Sequence, residues 1–405
     1  MKSIKILSLL LALIMCLGMF AGCGDIEDIE DAGNEDGTGV SSKYTEKNTT
    51  YKIGVSGPLT GGAAPYGVAV KNSAQMAVDE INAAGGLNGV KFELVVMDDK
   101  HDATLIPTNY AALYEGGMQV SLGTVTTAPG LEFKTLSKED NVFFLTPSAS
   151  GDKIPEFDNG YQMCFADGNQ GKVAADFVND NYSGKTIGVF FKSDDPYSKG
   201  IYDQFKANID ASVTVTETSF TESTKTDFSS QIDTLKNCEF IFMPIYSEPA
   251  SLFMTQAKDI LLADAVYFGC DGFDGIDHLE GFEINKIPQK VTMLSHFNSK
   301  ATEGKAKEFI DKYVDKYGID TLNQFGASAY DCVYAIYGAM KAAIDSGKEI
   351  PVTISASALC DILKEQFNGG YTFADGATGQ NIKWAANGYV EKGAIQYVIK
   401  DAGTN

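Results

Sequence analysis

Residues 51–86 read YKIGVSGPLTGGAAPYGVAVKNSAQMAVDEINAAGG, and this stretch decides the fold. YKIGVS is an apolar strand. After the turn-rich GPLTGGAAP, Val70, Ala74, Ala77 and Ile81 recur on one helical face, and a glycine pair stops the helix. The same strand–loop–helix unit then repeats: KFELVVMDD, DATLIPTNYAALYEGG (a helix interrupted early by Pro107), MQVSLG and NVFFLT. Apolar strands in βαβα order imply a parallel sheet covered by helices on both faces. A second series follows, with strands KTIGVFF, SVTVTETSF, EFIFMPI and VYFG. Helices are expected from about Tyr197, up to about Lys236 and over SLFMTQAKDILLA. The late helices, about 305–317, 325–343 and 356–367, are expected to return to the first series, and AIQYVIK to add a strand to the second. The fold class is therefore α/β in two lobes, and no internal repeat suggests a solenoid or propeller.

The N-terminus, MKSIKILSLLLALIMCLGMFAGCGD, carries two lysines, an apolar run from Ile6 to Phe20 and small residues before Cys23. It reads as a secretory signal over 1–22, too short for a stable span. FAGC resembles the lipobox of bacterial lipoproteins, which implies that Cys23 is lipidated and anchors the mature chain to the outer face of the cell membrane. Seven acids then fall between Asp25 and Asp36, with almost no aliphatic residues. Residues 23–48 therefore read as a self-repelling tether, and folded sequence is expected to start near Tyr51.

Loss of Lys2 and Lys5 with the signal leaves 30 lysines against 54 acidic residues, a side-chain charge of −24. Such a surface disfavours nucleic acid and anionic lipid as partners. The chain contains no arginine, so phosphates and dicarboxylates lose their usual bidentate clamp. Five widely spaced cysteines remain after Cys16 and Cys23: Cys164, Cys238, Cys270, Cys332 and Cys360. They do not form a disulfide framework and are expected to be mostly free and buried. With His101, His278 and His296 scattered and no HxxxH or CxxC spacing, no metal site or cofactor is expected.

In such sheets ligands sit beyond the carboxyl ends of the strands. The loops expected there are GPLTGGAAPYG, GTVTTAPG, TPSASGD, KSDDPYSKG, PIYSEP and GCDGFDG, rich in hydroxyls, tyrosines and acids. In LGTVTTAPG, residues 122–130, a threonine hydroxyl either caps the helix that Pro129 opens or faces outward with the first free N–H groups to hold an anion. Asp271, Asp274, Asp277 and Glu280 step by three residues and do not fit a calcium loop.

The ordered set GPLTG…YG…INAAGGLNG, MDD, LGTVTT, LTPSAS, FAD..QG, DPYSKG and CDGFDG is similar to the solute-binding proteins of ABC importers, in the leucine/isoleucine/valine-binding family. The resemblance covers nearly all of residues 51–400. It implies a periplasmic-binding-protein-like fold in which three hinge crossings join the lobes, here 49–167 plus 297–393 and 168–296 plus 394–405, closing on an amino acid. By position, Thr127 matches the hydroxyl residue that holds the ligand carboxylate, Ser150 the second hydroxyl near that end, and Ser148 the residue whose carbonyl receives the α-ammonium. Asp271 matches the acid that pairs with the ammonium, Tyr197 and Tyr246 residues of the second lobe that line the cleft, and Tyr66 a wall of the side-chain pocket. Some members have Glu in place of Asp271, and some carry a disulfide at the positions that here are His101 and Thr126. On this resemblance VTT both caps its helix and cradles a carboxylate.

The function expected is that of a non-enzymatic, lipid-anchored, monomeric receptor delivering an aliphatic amino acid to an ABC permease and its ATPase. A sensor of the same ligand, or a receptor for another small zwitterion or amide, is the alternative. A hydrolase with a hydroxyl nucleophile is disfavoured, because no GxSxG elbow occurs and none of the three histidines lies in a recognised nucleophile motif.

Overall fold

The computed structural model describes residues 43–403. The signal segment, Cys23 and the acidic run lie outside the described residues. Five parallel strands form the first sheet: β1 (Tyr51–Gly57), β2 (Phe92–Asp98), β3 (Val120–Thr124), β4 (Phe144–Thr146) and β5 (Gly160–Gln162), in the order β2-β1-β3-β4-β5. Helices α1 (Ala64–Ala83), α2 (Ile106–Glu115) and α3 (Thr127–Glu139) connect them. Val70, Ala74, Ala77 and Ile81 are all buried, as their helical spacing requires. Gly67 is needed where α1 leaves its loop, because a Cβ there would overlap the Pro58 carbonyl oxygen. Pro107 begins α2 rather than breaking it, since its missing N–H falls in the first turn, where no intrahelical partner exists.

The second sheet takes β6 (Thr186–Lys192), β7 (Thr214–Phe220), β8 (Phe240–Met243), β9 (Val266–Gly269) and β10 (Lys290–Ser295) in parallel. Its helices are α4 (Asp167–Tyr182), α5 (Pro196–Asn208), α6 (Ser229–Leu235) and α7 (Ser247–Ala257). The chain then returns through α8 (Gly304–Tyr317), α9 (Gln324–Asp345) and α10 (Ala356–Asn368), which share one core with α1 and the first sheet. A hairpin of β11 (Phe373–Gly376) and β12 (Gly379–Ile382) precedes β13 (Ile395–Lys400), which pairs antiparallel with β10 at the edge of the second sheet. The second sheet therefore has the order β13-β10-β9-β8-β6-β7. Three connections join the lobes: β5 to α4, β10 to α8, and β12 to β13.

Each sheet carries an apolar core on both faces, the condition for burying parallel strands. Four elements are absent from the sequence reading: β5, α4, β10 and the β11–β12 hairpin. KVTMLS looks too polar for a buried strand. Yet the Thr292 hydroxyl donates to the Tyr267 carbonyl (3.2 Å) and that of Ser295 to the Phe297 carbonyl (3.1 Å), so both side chains are buried without an unmet donor. Folded chain also begins earlier than Tyr51. Thr45 and Asn48 are buried and donate to the carbonyls of Thr353 (3.0 Å) and Gly117 (2.8 Å), which ties down the end of the expected tether. All five described cysteines are free and buried.

Candidate functional site

The carboxyl ends of both sheets meet at a small cavity lined by Tyr66, Ser148, Ser150, Tyr197, Tyr246 and Asp271, together with Val125, Thr126 and Phe325. Its free volume is about 10 Å³, roughly one water's worth. Six of the seven ligand positions expected from the sequence line it. Thr127 stands just behind, as the first residue of α3, and its hydroxyl accepts from the Gly151 N–H (3.2 Å).

The expectation that a threonine hydroxyl caps α3 is not met. Thr126 has the extended backbone of an N-cap (φ −115°, ψ 154°) but makes no side-chain cap bond. Its hydroxyl lies 2.9 Å from His101 Nδ1 instead. His101 and Thr126, the positions the resemblance aligns with a disulfide, are thus joined here by a hydrogen bond. The helix end keeps free N–H groups beside a cavity lined by Ser148 and Ser150, which suits a carboxylate.

The opposite wall is acidic and aromatic. Asp271 follows β9, and its Oδ1 accepts from the Tyr197 hydroxyl (2.6 Å) while its N–H donates to Gln170 Oε1 (2.9 Å). Asp271 Oδ2 is buried without any hydrogen-bond partner. Burial pushes this carboxyl up to about 6, against the lowering effect of the Tyr197 and Gln170 hydrogen bonds. Asp167, on the first turn of α4, is raised well above the carboxylate range by burial and then by Asp271. Asp274 is raised to about 7 by burial, although its Oδ2 accepts from the Gln324 N–H at the start of α9 (2.8 Å). Of these three acids only Asp271 lines the cavity.

Tyr66 spans the lobes. Its hydroxyl donates to the Gly272 carbonyl (2.6 Å), accepts from the Ser247 N–H (2.9 Å) and lies 2.7 Å from the Ser247 hydroxyl. The rings of Tyr246 and Phe325 pack against it, with centroids 5.7 and 5.3 Å away. Phe325 escaped the sequence reading because it arrives on α9, far along the chain, inside an apolar helix with no local mark of a site. Thr126 sat in the right loop, and a choice between neighbouring threonines required the backbone.

A two-lobed α/β chain whose strand ends converge on a closed, polar-and-aromatic cavity is the architecture of a solute-binding protein. The chain belongs to the periplasmic binding protein family, whose model matches residues 50–403. It is similar to the leucine-, isoleucine-, valine-, threonine- and alanine-binding protein of Pseudomonas aeruginosa, 30% identical over 238 residues. That match spans 57% of this chain and 63%, under two thirds, of the relative. Similarity to the Leu/Ile/Val-binding protein BraC3 of Rhizobium johnstonii runs to 28% over 320 residues, 75% of this chain and 85% of that one. Among solved structures, the branched-chain amino acid substrate-binding protein LivJ of Streptococcus pneumoniae, in complex with isoleucine, superposes with a TM-score of 0.75. It is 26% identical, and the match covers 87% of this chain and 99% of LivJ. Among the described residues no helix is long and apolar enough to cross a membrane.

Proposed function

We propose that this chain is an extracytoplasmic receptor that captures a branched-chain aliphatic amino acid between its lobes and delivers it to the permease and ATPase of an ABC importer. The observation that carries the reading is Asp271 Oδ2, a buried carboxylate oxygen without a partner in an interlobe cavity. A ligand ammonium supplies the missing partner. Leaving such a charge unpaired costs several kcal/mol. Thr127, Ser150 and the free N–H groups of α3 receive the ligand carboxylate, the Ser148 carbonyl and Asp271 receive the ammonium, and Tyr66, Tyr197 and Tyr246 enclose the side chain. The lobes, 49–167 plus 297–393 and 168–296 plus 394–405, open and close about the three connections. Cys23 carries the lipid that holds the monomeric receptor at the membrane.

No lysine or arginine lines the cavity, so a second carboxylate on the ligand would be buried unpaired. Calorimetry against the amino acids is the test. Leucine, isoleucine or valine should bind, glutamate and aspartate should not, and Asp271→Ala should weaken binding by about a hundredfold or more. Glutamate binding as tightly as leucine, or an Asp271→Ala variant that binds like the parent, sinks the reading.

A further inference from the structure

The three tyrosines of the cavity are not held alike. Tyr66 is fixed by Gly272 and Ser247, and Tyr197 by Asp271 Oδ1 and the Gly272 N–H (2.9 Å). The Tyr246 hydroxyl has no hydrogen-bond partner among the described residues. Its ring packs against other rings, Tyr197 stacked at 4.5 Å and 19°, His101 edge-on at 5.1 Å, and Tyr66. The cavity in front of that ring has room for about one water. Behind it lies a second interlobe chamber of about 170 Å³, which Tyr246 also lines. Ala63 contributes to it from the first lobe, and Phe220, Pro249 and Leu252 from the second. Charged groups also line it: Lys192 Nζ and Lys225 Nζ lie 2.7 and 2.5 Å from the two oxygens of Glu222, and His101 and the exposed Glu248 border it as well.

We propose that Tyr246 is a movable partition and that the chamber behind it receives the distal end of apolar side chains longer than that of leucine, such as those of methionine and phenylalanine. The proposal rests on the amino-acid reading above and extends it to a wider substrate class. Any occupant of the cavity requires a wall to give way. Moving Tyr66 or Tyr197 breaks buried hydrogen bonds, which leaves polar groups unmet, whereas moving Tyr246 exchanges ring contacts for those of an apolar chamber. Tyr246 therefore yields first, and Ala63, Phe220, Pro249 and Leu252 offer an apolar surface on which a methyl, thioether or phenyl group is desolvated, while Glu248 stays exposed to solvent.

Calorimetry of the full chain with valine, leucine, methionine and phenylalanine tests this, using Leu252→Trp and Thr226→Trp, at two residues that line the chamber, to fill it. The parent should bind all four. Both variants should keep valine and leucine within about twofold and weaken methionine and phenylalanine by about tenfold or more. Thermal melts identify a variant that fails to fold, and the other then decides. A parent that binds leucine but neither larger ligand, or folded variants that weaken valine as much as phenylalanine or leave phenylalanine unchanged, overturn the chamber and leave the amino-acid receptor standing. A parent that binds none of the four overturns both.

Discussion

The two lobes share a fold plan, each packs its sheet with clusters of rings, and they differ in what they bring to the cleft. In the first lobe α9 lies close against α1: a Cβ on Gly326 would come within 2.8 Å of Ser73 Oγ and 3.2 Å of the Ala69 carbonyl oxygen. Small residues set that helix spacing. The second lobe is filled by rings, with Phe190 at 5.0, 5.1 and 4.4 Å from Phe220, Phe228 and Phe253. At the cleft, the first lobe offers hydroxyls and helix N–H groups, and the second offers a buried acid and two stacked tyrosines. Donors on one side and an acceptor on the other make each lobe half of a site for a zwitterion. Neither half neutralises both charges alone, which couples binding to closure.

The largest effect that tests this contrast is a deletion in the ringed core. Phe190→Ala should destabilise the protein by about 3–5 kcal/mol in chemical denaturation, because the surrounding rings cannot collapse into the space. A loss below about 1 kcal/mol would mean the second lobe is not held by this cluster.

Next comes the acid. Asp271 has a folded pKa of about 6 against an ordinary 3.8, so the native state holds more protons than the unfolded chain between those values. Stability therefore falls as pH rises through that window and stays lower above it. Asp271→Asn cannot ionise, and in ligand-free melts it should be more stable than the parent at pH 7.5 by up to about 3 kcal/mol, with no difference near pH 3. The absence of a gain at pH 7.5 would show that the carboxylate is solvated in the ligand-free protein, that is, that the cleft stands open. The same shift makes ligand affinity fall as pH drops below about 6, since the ammonium needs the ionised acid.

The smallest effect belongs to the first lobe. Gly326→Ala gains about 1 kcal/mol of helix propensity but forces Ser73 and the backbone of α1 to shift, at about 1–3 kcal/mol. A net loss of about 1 kcal/mol is expected in denaturant titrations, and a gain would show that α1 and α9 are loosely packed.

Much of the fold was legible because most strands of both sheets are apolar runs and the helices keep one buried stripe; β1, α1 and the strand ends of six ligand loops follow from that pattern. What escaped had a physical reason. β10 hides its polar residues by bonding them to neighbouring backbone, and the β11–β12 hairpin has four-residue strands that are mostly exposed or half-buried. Thr126 turned from capping to His101 because that histidine, pushed down in pKa by burial although Asp195 opposes this, stands within hydrogen-bond reach.

By itself, the sequence determined the alternation of strands and helices, the absence of arginine, and the kinds of groups a ligand would meet, since all three are properties of residue type and order. Only the tertiary structure decided that Asp271 keeps an unmet oxygen, that Tyr66 bridges the lobes by hydrogen bonds while Tyr246 is held by packing, and that Phe325 lines the cavity. Those features depend on which atoms meet across contacts tens to hundreds of residues apart, and local pattern carries no record of such meetings.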